Sequence, residues 1–306
     1  MESRTRGLGM VLLAATFWGL SGTAAQALFE DYGVSPFWLL SVRMVLGGLF
    51  LLLWARPAFP RARWGGMLLL ALLGLVPVQG TYLLAIAYGN VASATLLQTL
   101  GIPLIALVER MWQRRPLPGR LLLGIALAFS GTALLVVERP ETMELALSPL
   151  AIFWGLMAAL TLMLYTFLSL PLVQTYGGWP VTAWGLFLGG LFLLPFVRPW
   201  ELRAPLSWEA LLLVIFVALV GTALAFGLYV GSLRWLRPAE AGLAVTWEPV
   251  VAAIAAYIFL QVVLRPWQYL GAALIVASLS LLPGLARPSS VPPLPAEEPA
   301  PPEASP

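Results

Sequence analysis

The chain has 306 residues, 60% of them hydrophobic and 10% charged, with a net charge of +3, where an average soluble domain is about 25% charged. A soluble fold of this length has too little interior to hide that apolar surface, so the missing charge calls for an apolar solvent, the lipid bilayer. All 17 basic residues are arginine, and lysine, histidine and cysteine are absent, which excludes a histidine base, a Cys or His metal site, a thiol nucleophile and a disulfide framework.

A span needs about 20 apolar residues to cross roughly 30 Å of hydrocarbon. In chain order the sequence predicts spans near residues 8–28, 36–55, 65–87, 91–111, 119–137, 149–170, 178–198, 208–233, 238–260 and 266–283. The expectation is an all-α membrane protein of ten transmembrane helices. The first span follows Arg4 and Arg6 and is trailed by Ala25, Gln26 and Ala27, which also resembles a cleavable signal peptide. A matching segment in mid-chain, described below, argues against that reading.

Two charge-free runs are too long for one span. Trp64 to Val108 holds 45 residues and Leu145 to Val197 holds 53, which as straight helices would reach roughly 68 and 80 Å. Each must fold back, at Gly89-Asn90 and within 176–180, where Gly, Asn and Pro favour turns. Trp54, Trp64, Trp112, Trp200, Trp208 and Trp267 fall at span ends, where indole rings prefer the headgroup layer.

With a cytoplasmic N-terminus, the inner segments carry twelve arginines (4, 6, 56, 61, 63, 110, 114, 115, 120, 234, 237 and 287) and the outer loops four (139, 198, 203 and 265). That positive-inside bias puts both termini in the cytoplasm, with the chain in the cell membrane. Residues 287–306 contain eight prolines and three glutamates, a composition that predicts a disordered Pro-rich cytoplasmic tail. The arginines are scattered through short loops, so no nucleic-acid partner is expected. No metal or cofactor is expected either, and the absence of a nucleotide-binding motif excludes built-in ATP hydrolysis.

Phe17-Trp18-Gly19-Leu20 recurs as Phe153-Trp154-Gly155-Leu156. Pro36 and Pro180, Pro103 and Pro249, and Gly124 and Gly271 keep a similar spacing, which defines two five-helix repeats, 9–137 and 149–283. An odd number of spans per copy inverts the second copy relative to the first, the architecture of secondary transporters.

The Trp-Gly of the first span, Arg43 in the second, prolines within the fourth and ninth, and Glu248-Pro249 followed by Gly271-Ala-Ala-Leu-Ile resemble the EamA-type drug/metabolite transporters over residues 9–283. The resemblance implies a ten-helix inverted-repeat fold, a cavity between the halves, and export of amino acids, other metabolites or drugs. Arg115 and Gln261 stand where family members often carry an acid, so loop pairing built on those acids is expected to differ. The expected partners are a small-molecule substrate and the lipid bilayer, with a homodimer left open.

Glu248 lies eleven residues into the ninth span, where a charge costs about 3 kcal/mol on insertion scales. It reads as a cavity carboxylate for an amine, a cation or a proton, or as a glutamate satisfied by a neighbouring helix. Arg43 sits seven residues inside Pro36, roughly 10 Å below the outer surface. That depth allows it either to snorkel or to bind a substrate carboxylate. Pro103 and Pro249 each remove a backbone hydrogen bond and are candidate kinks or hinges. Gln98, Thr99 and Thr95 precede the first of them, and Thr246 and Trp247 the second.

Gln79, Tyr82, Tyr165 and Tyr229 place polar heads in apolar stretches, and Trp18 is a further candidate for lining the vestibule; interhelical bonding or packing explains each equally well. Gly185/Gly189 and Gly227/Gly231 have the spacing of close helix contacts. The function these features favour is alternating-access export of a small solute. A membrane-embedded scaffold or a lipid-acting enzyme is the alternative, although no interfacial cluster of His, Asp, Glu or Ser is present to support catalysis.

Overall fold

A computed structural model describes residues 2–112, 114, 119–139, 144–145, 147–200, 206–236, 238–245, 247–261 and 265–280. Helices dominate, together with a short antiparallel ladder between Val137–Arg139 and Glu144–Leu145. Among the described residues, eight helices are long and apolar enough to cross a membrane. They are α1 (Glu2–Glu30), α2 (Pro36–Ala55), α3 (Arg61–Tyr88), α4 (Val91–Trp112), α6 (Pro149–Tyr176), α7 (Gly178–Val197), α8 (Trp208–Ser232) and α9 (Pro238–Val245 with Trp247–Leu260). Two shorter helices, α5 (Gly119–Val136) and α10 (Pro266–Ser280), lie along each other. The tail, Arg115 and Thr246 fall outside the described residues.

Large apolar side chains face outward, with Phe196, Phe259 and Leu53 each more than two-thirds exposed. Such a surface is stable only against lipid. Trp54, Trp64, Trp112, Trp200 and Trp208 are exposed at helix ends.

Both expected fold-back points are helix breaks. Asn90 is extended, and its side chain accepts from the Ser93 N–H at 2.9 Å, capping α4. Gly177 adopts φ 84°, a conformation that glycine reaches without steric cost, so this single residue separates α6 from α7. Asn90→Ala should lower thermal stability in detergent by about 1 kcal/mol, the typical value of an N-cap.

The helix interiors depart from the expected spans. α6 continues through Pro171 to Tyr176, six residues past its expected end, because one missing N–H is tolerable in a helix packed against neighbours. α4 is not continuous: Leu100 separates Val91–Thr99 from Gly101–Trp112. Pro103 sits just past that break, in the first turn of the second piece, where its missing N–H has no helical partner to lose.

α3 and α8 each contain a π-helical stretch, Leu70–Leu75 and Val217–Leu224. In α3 the stretch relieves the clash between the Pro77 ring and the preceding turn. In α8 the Thr222 hydroxyl donates to the Val217 carbonyl at 2.8 Å.

The packing repeats itself. α2 lies along α7; α1 packs against α8 and α9, and correspondingly α6 packs against α3 and α4. The α2/α7 pair is tied at both ends. The Trp38 indole donates to the Pro199 carbonyl at 2.8 Å, and the Trp184 indole to the carbonyls of Pro57 and Ala58 at 3.3 and 3.2 Å. Each acceptor follows an arginine in the left-handed conformation, Arg198 or Arg56, that ends the partner helix. Trp184→Phe should remove one tie and lower the unfolding midpoint by the equivalent of about 1 kcal/mol.

Gly185 sits against Leu75 and Gly189 against Met44, while Gly231 faces Met10 and Gly178. Both small-residue pairs therefore serve close helix contact.

Candidate functional site

A cavity of about 30 Å³ lies where α1, α2, α3 and α4 meet α6, α8 and α9. Its lining is Trp18 and Ser21 from α1, Arg43 from α2, Val78, Gln79 and Tyr82 from α3, Gln98 and Thr99 from α4, Leu162 from α6, Phe226 from α8, and Val245 and Glu248 from α9.

Arg43 and Glu248 share this cavity, each 4% exposed. The snorkelling option for Arg43 is thereby overturned: its Nη2 donates inward to the Gln79 carbonyl at 3.4 Å. Its Nε has no partner. Among the described residues, no hydrogen bond or ion pair reaches the Glu248 carboxylate.

Glu248 and Pro249 stand next to each other on α9, and both are buried.

Tyr82 lines the same cavity as Arg43 and Glu248. Its hydroxyl shares a 2.9 Å hydrogen bond with Thr95 Oγ1, so Thr95 orients a lining residue from outside the lining. Thr99 donates to the Thr95 carbonyl at 2.7 Å. Tyr165 and Tyr229 stand behind the wall. Tyr229 packs on Trp18 with ring centroids 5.2 Å apart, Tyr165 on Phe226 at 5.6 Å, and Trp18 meets Phe226 edge to face at 5.0 Å. The Tyr229 hydroxyl bonds Thr166 at 2.9 Å.

Trp247 departs from expectation. It is 45% exposed, and its indole donates to Thr16 Oγ1 at 3.1 Å on the outside of the bundle. Being on the same helical turn as Glu248 does not put it on the same face.

Sequence reasoning passed over Ser21, Val78, Leu162, Phe226 and Val245. Two of these carried a usable signal: Ser21 lies three residues after Trp18 and Phe226 three before Tyr229, so each shares a helix face with a candidate already chosen. At the end of α9, Gln261 takes a left-handed conformation and donates to the Ile258 carbonyl at 3.2 Å, a local cap in place of an acid-based loop pairing.

Comparison with known proteins adds to this geometry. The profile of the EamA-like transporter family matches residues 5–137 and again 149–283. An uncharacterised inner membrane transporter, YicL, of Salmonella typhimurium is 32% identical over 291 residues, covering 92% of this chain and 96% of its own. A probable terminal-alkyne amino-acid exporter of Streptantibioticus cattleyicolor is 24% identical, covering 89% of this chain and 91% of its own. A solved crystal structure superposes with a TM-score of 0.67 at 18% identity, over 93% of this chain and 97% of that one, and so shares the fold.

Proposed function

The chain belongs to the EamA-like transporter family, and from that premise we propose that it is a secondary carrier exporting amino acids or similar small metabolites across the cytoplasmic membrane by alternating access. The family and its relatives are transporters, so a lipid-acting enzyme is not its activity. The single observation that carries the reading is the cavity between the two matched segments, which holds one cation and one carboxylate in an otherwise uncharged lining. Buried, unpaired charges of opposite sign are costly without a solute that meets them.

In this reading, α5 and α10 complete ten spans in two inverted five-helix repeats, and both termini are cytoplasmic. The repeated packing of α1 on α8 and α9 against α6 on α3 and α4 supports it, as do the π-stretches in α3 and α8. Two related bundles around one hollow can rock to open it to each side in turn.

Counterflow in proteoliposomes tests the proposal. Vesicles loaded with an unlabelled amino-acid mixture should accumulate a labelled member of that mixture beyond protein-free controls. No accumulation of any amino acid or related metabolite overturns the reading.

A further inference from the structure

The turn that joins α2 to α3 is built like the segment that follows α7. Each opens on an arginine in the left-handed conformation, Arg56 or Arg198, continues into a proline, and offers a backbone carbonyl to a tryptophan of the paired helix. Each runs on to a tryptophan at the start of the next α-helical stretch, Trp64 or Trp208. Their charges differ. Residues 56–65 hold three arginines and no acid, whereas residues 198–209 hold two arginines and two glutamates, and no acidic residue occurs anywhere between Asp31 and Glu109. The charge-balanced segment makes the same tie between α2 and α7, so the surplus cations of the other are not needed for it.

Arg56, Arg61 and Arg63 are all exposed, and among the described residues no hydrogen bond or ion pair holds their side chains. Arg4 and Arg6 differ in this respect, the first pairing with Glu240 at 2.9 Å and the second lying 5.2 Å from the Trp235 ring centroid.

The backbone that carries the three free arginines is fixed. The Arg56 N–H donates to the Leu52 carbonyl at 3.0 Å, the Arg61 N–H to the Phe59 carbonyl at 2.8 Å and the Arg63 N–H to the Pro60 carbonyl at 3.1 Å. Phe59 packs edge to face on Trp184, with ring centroids 4.9 Å apart. A ligand met by a folded turn spends less on ordering it than one met by a loose loop.

Trp54 and Trp64, each more than half exposed, flank the three arginines in sequence. Indole rings settle at the headgroup level of a bilayer, so the cations between them face that layer. Guanidinium groups take phosphate oxygens in bidentate fashion, and basic clusters beside a span attract anionic headgroups.

We propose that the α2–α3 turn is a binding site for an anionic phospholipid. Arg56, Arg61 and Arg63 hold the headgroup phosphate, and the rings of Trp54, Phe59 and Trp64 lie against the glycerol and the upper acyl chains. The occupant is a lipid rather than a soluble anion because the same short segment supplies both the cations and the interfacial rings. The solute takes no part in this contact, so lipid binding and transport can fail separately.

Purified full-length protein in neutral detergent tests the site, titrated with phosphatidylglycerol or phosphatidylcholine and read by native mass spectrometry and by the unfolding midpoint. Phosphatidylglycerol should bind at least about tenfold more tightly than phosphatidylcholine and raise the midpoint further. Arg56→Gln/Arg61→Gln/Arg63→Gln should lose that preference, at about fivefold per charge removed, while Arg198→Gln/Arg203→Gln keeps it. Arg61→Gln/Arg63→Gln leaves the left-handed Arg56 in place and is the second variant. It should lose part of the preference, with its midpoint in phosphatidylcholine equal to that of the parent.

An undiminished preference in the triple variant, or an equal loss in the pair after α7, overturns the proposal. So does displacement of the lipid by millimolar inorganic phosphate, which would mark a site for soluble anions.

Discussion

Glu248→Gln should slow counterflow by roughly 30-fold or more, taking about 2 kcal/mol for the loss of a charge-assisted hydrogen bond to the solute. Glutamine has nearly the same volume and keeps an acceptor oxygen, and no hydrogen bond or ion pair from the described residues is lost with the charge. The variant should therefore purify as a monodisperse species with an unfolding midpoint at or above that of the parent, since an unpaired buried charge has been removed. A structural glutamate gives the reverse pattern, in which the midpoint falls and transport by the surviving protein stays close to normal. Measuring both quantities on one preparation separates the two roles.

Gly48→Val should be among the most damaging substitutions away from the cavity. A Cβ at Gly48 would lie 2.5 Å from the Phe187 nitrogen and 2.7 Å from its Cα, both backbone atoms of α7 that cannot rotate aside. Gly190 faces α2 in the same way, since a Cβ added there would lie 2.8 Å from the Val45 nitrogen. Pushing the two helices apart would also strain the Trp38 and Trp184 ties at the ends of the pair. The expected loss is on the order of 3 kcal/mol or more, seen as a collapse of the monodisperse fraction in size-exclusion chromatography. Gly9→Ala is the control: nothing lies within 4 Å of its Cβ, and alanine is the better helix former by about 1 kcal/mol, so the midpoint should hold or rise.

Much of this architecture was legible because lipid writes simple rules into sequence. Without water, backbone groups must bond within helices, so charge-free runs and their Gly, Asn and Pro interruptions located the breaks at Gly89-Asn90 and Gly177 closely. The recurring Phe-Trp-Gly-Leu and the spacing of Pro103 and Pro249 marked two units, which the family profile matches over 5–137 and 149–283.

What escaped were features decided by neighbours rather than by local composition. The continuation of α6 through Pro171 depends on packing that composition does not encode. The π-stretches required reading Pro77 and Thr222 as perturbing the turns before them. Arg43 was ambiguous because depth along a helix allows an outward or an inward route, and only the helices around it close the outward one. Trp247 was misplaced because proximity to Glu248 in sequence says nothing of rotation about the axis. Glu248 stands out in the sequence as a charge in an apolar stretch, but that it lines the same cavity as Arg43 depends on how the helices pack.

Alternating access has a direct signature in a chain that contains no cysteine. Ser21, in the cavity lining, changed to cysteine gives a single reporter at the centre of the bundle. In oriented proteoliposomes, a membrane-impermeant maleimide added to either side alone should label it, and an amino acid that shows counterflow should slow labelling from both sides. Labelling that always comes from the same side, whatever the solute conditions, would contradict a carrier that opens one hollow to each face in turn.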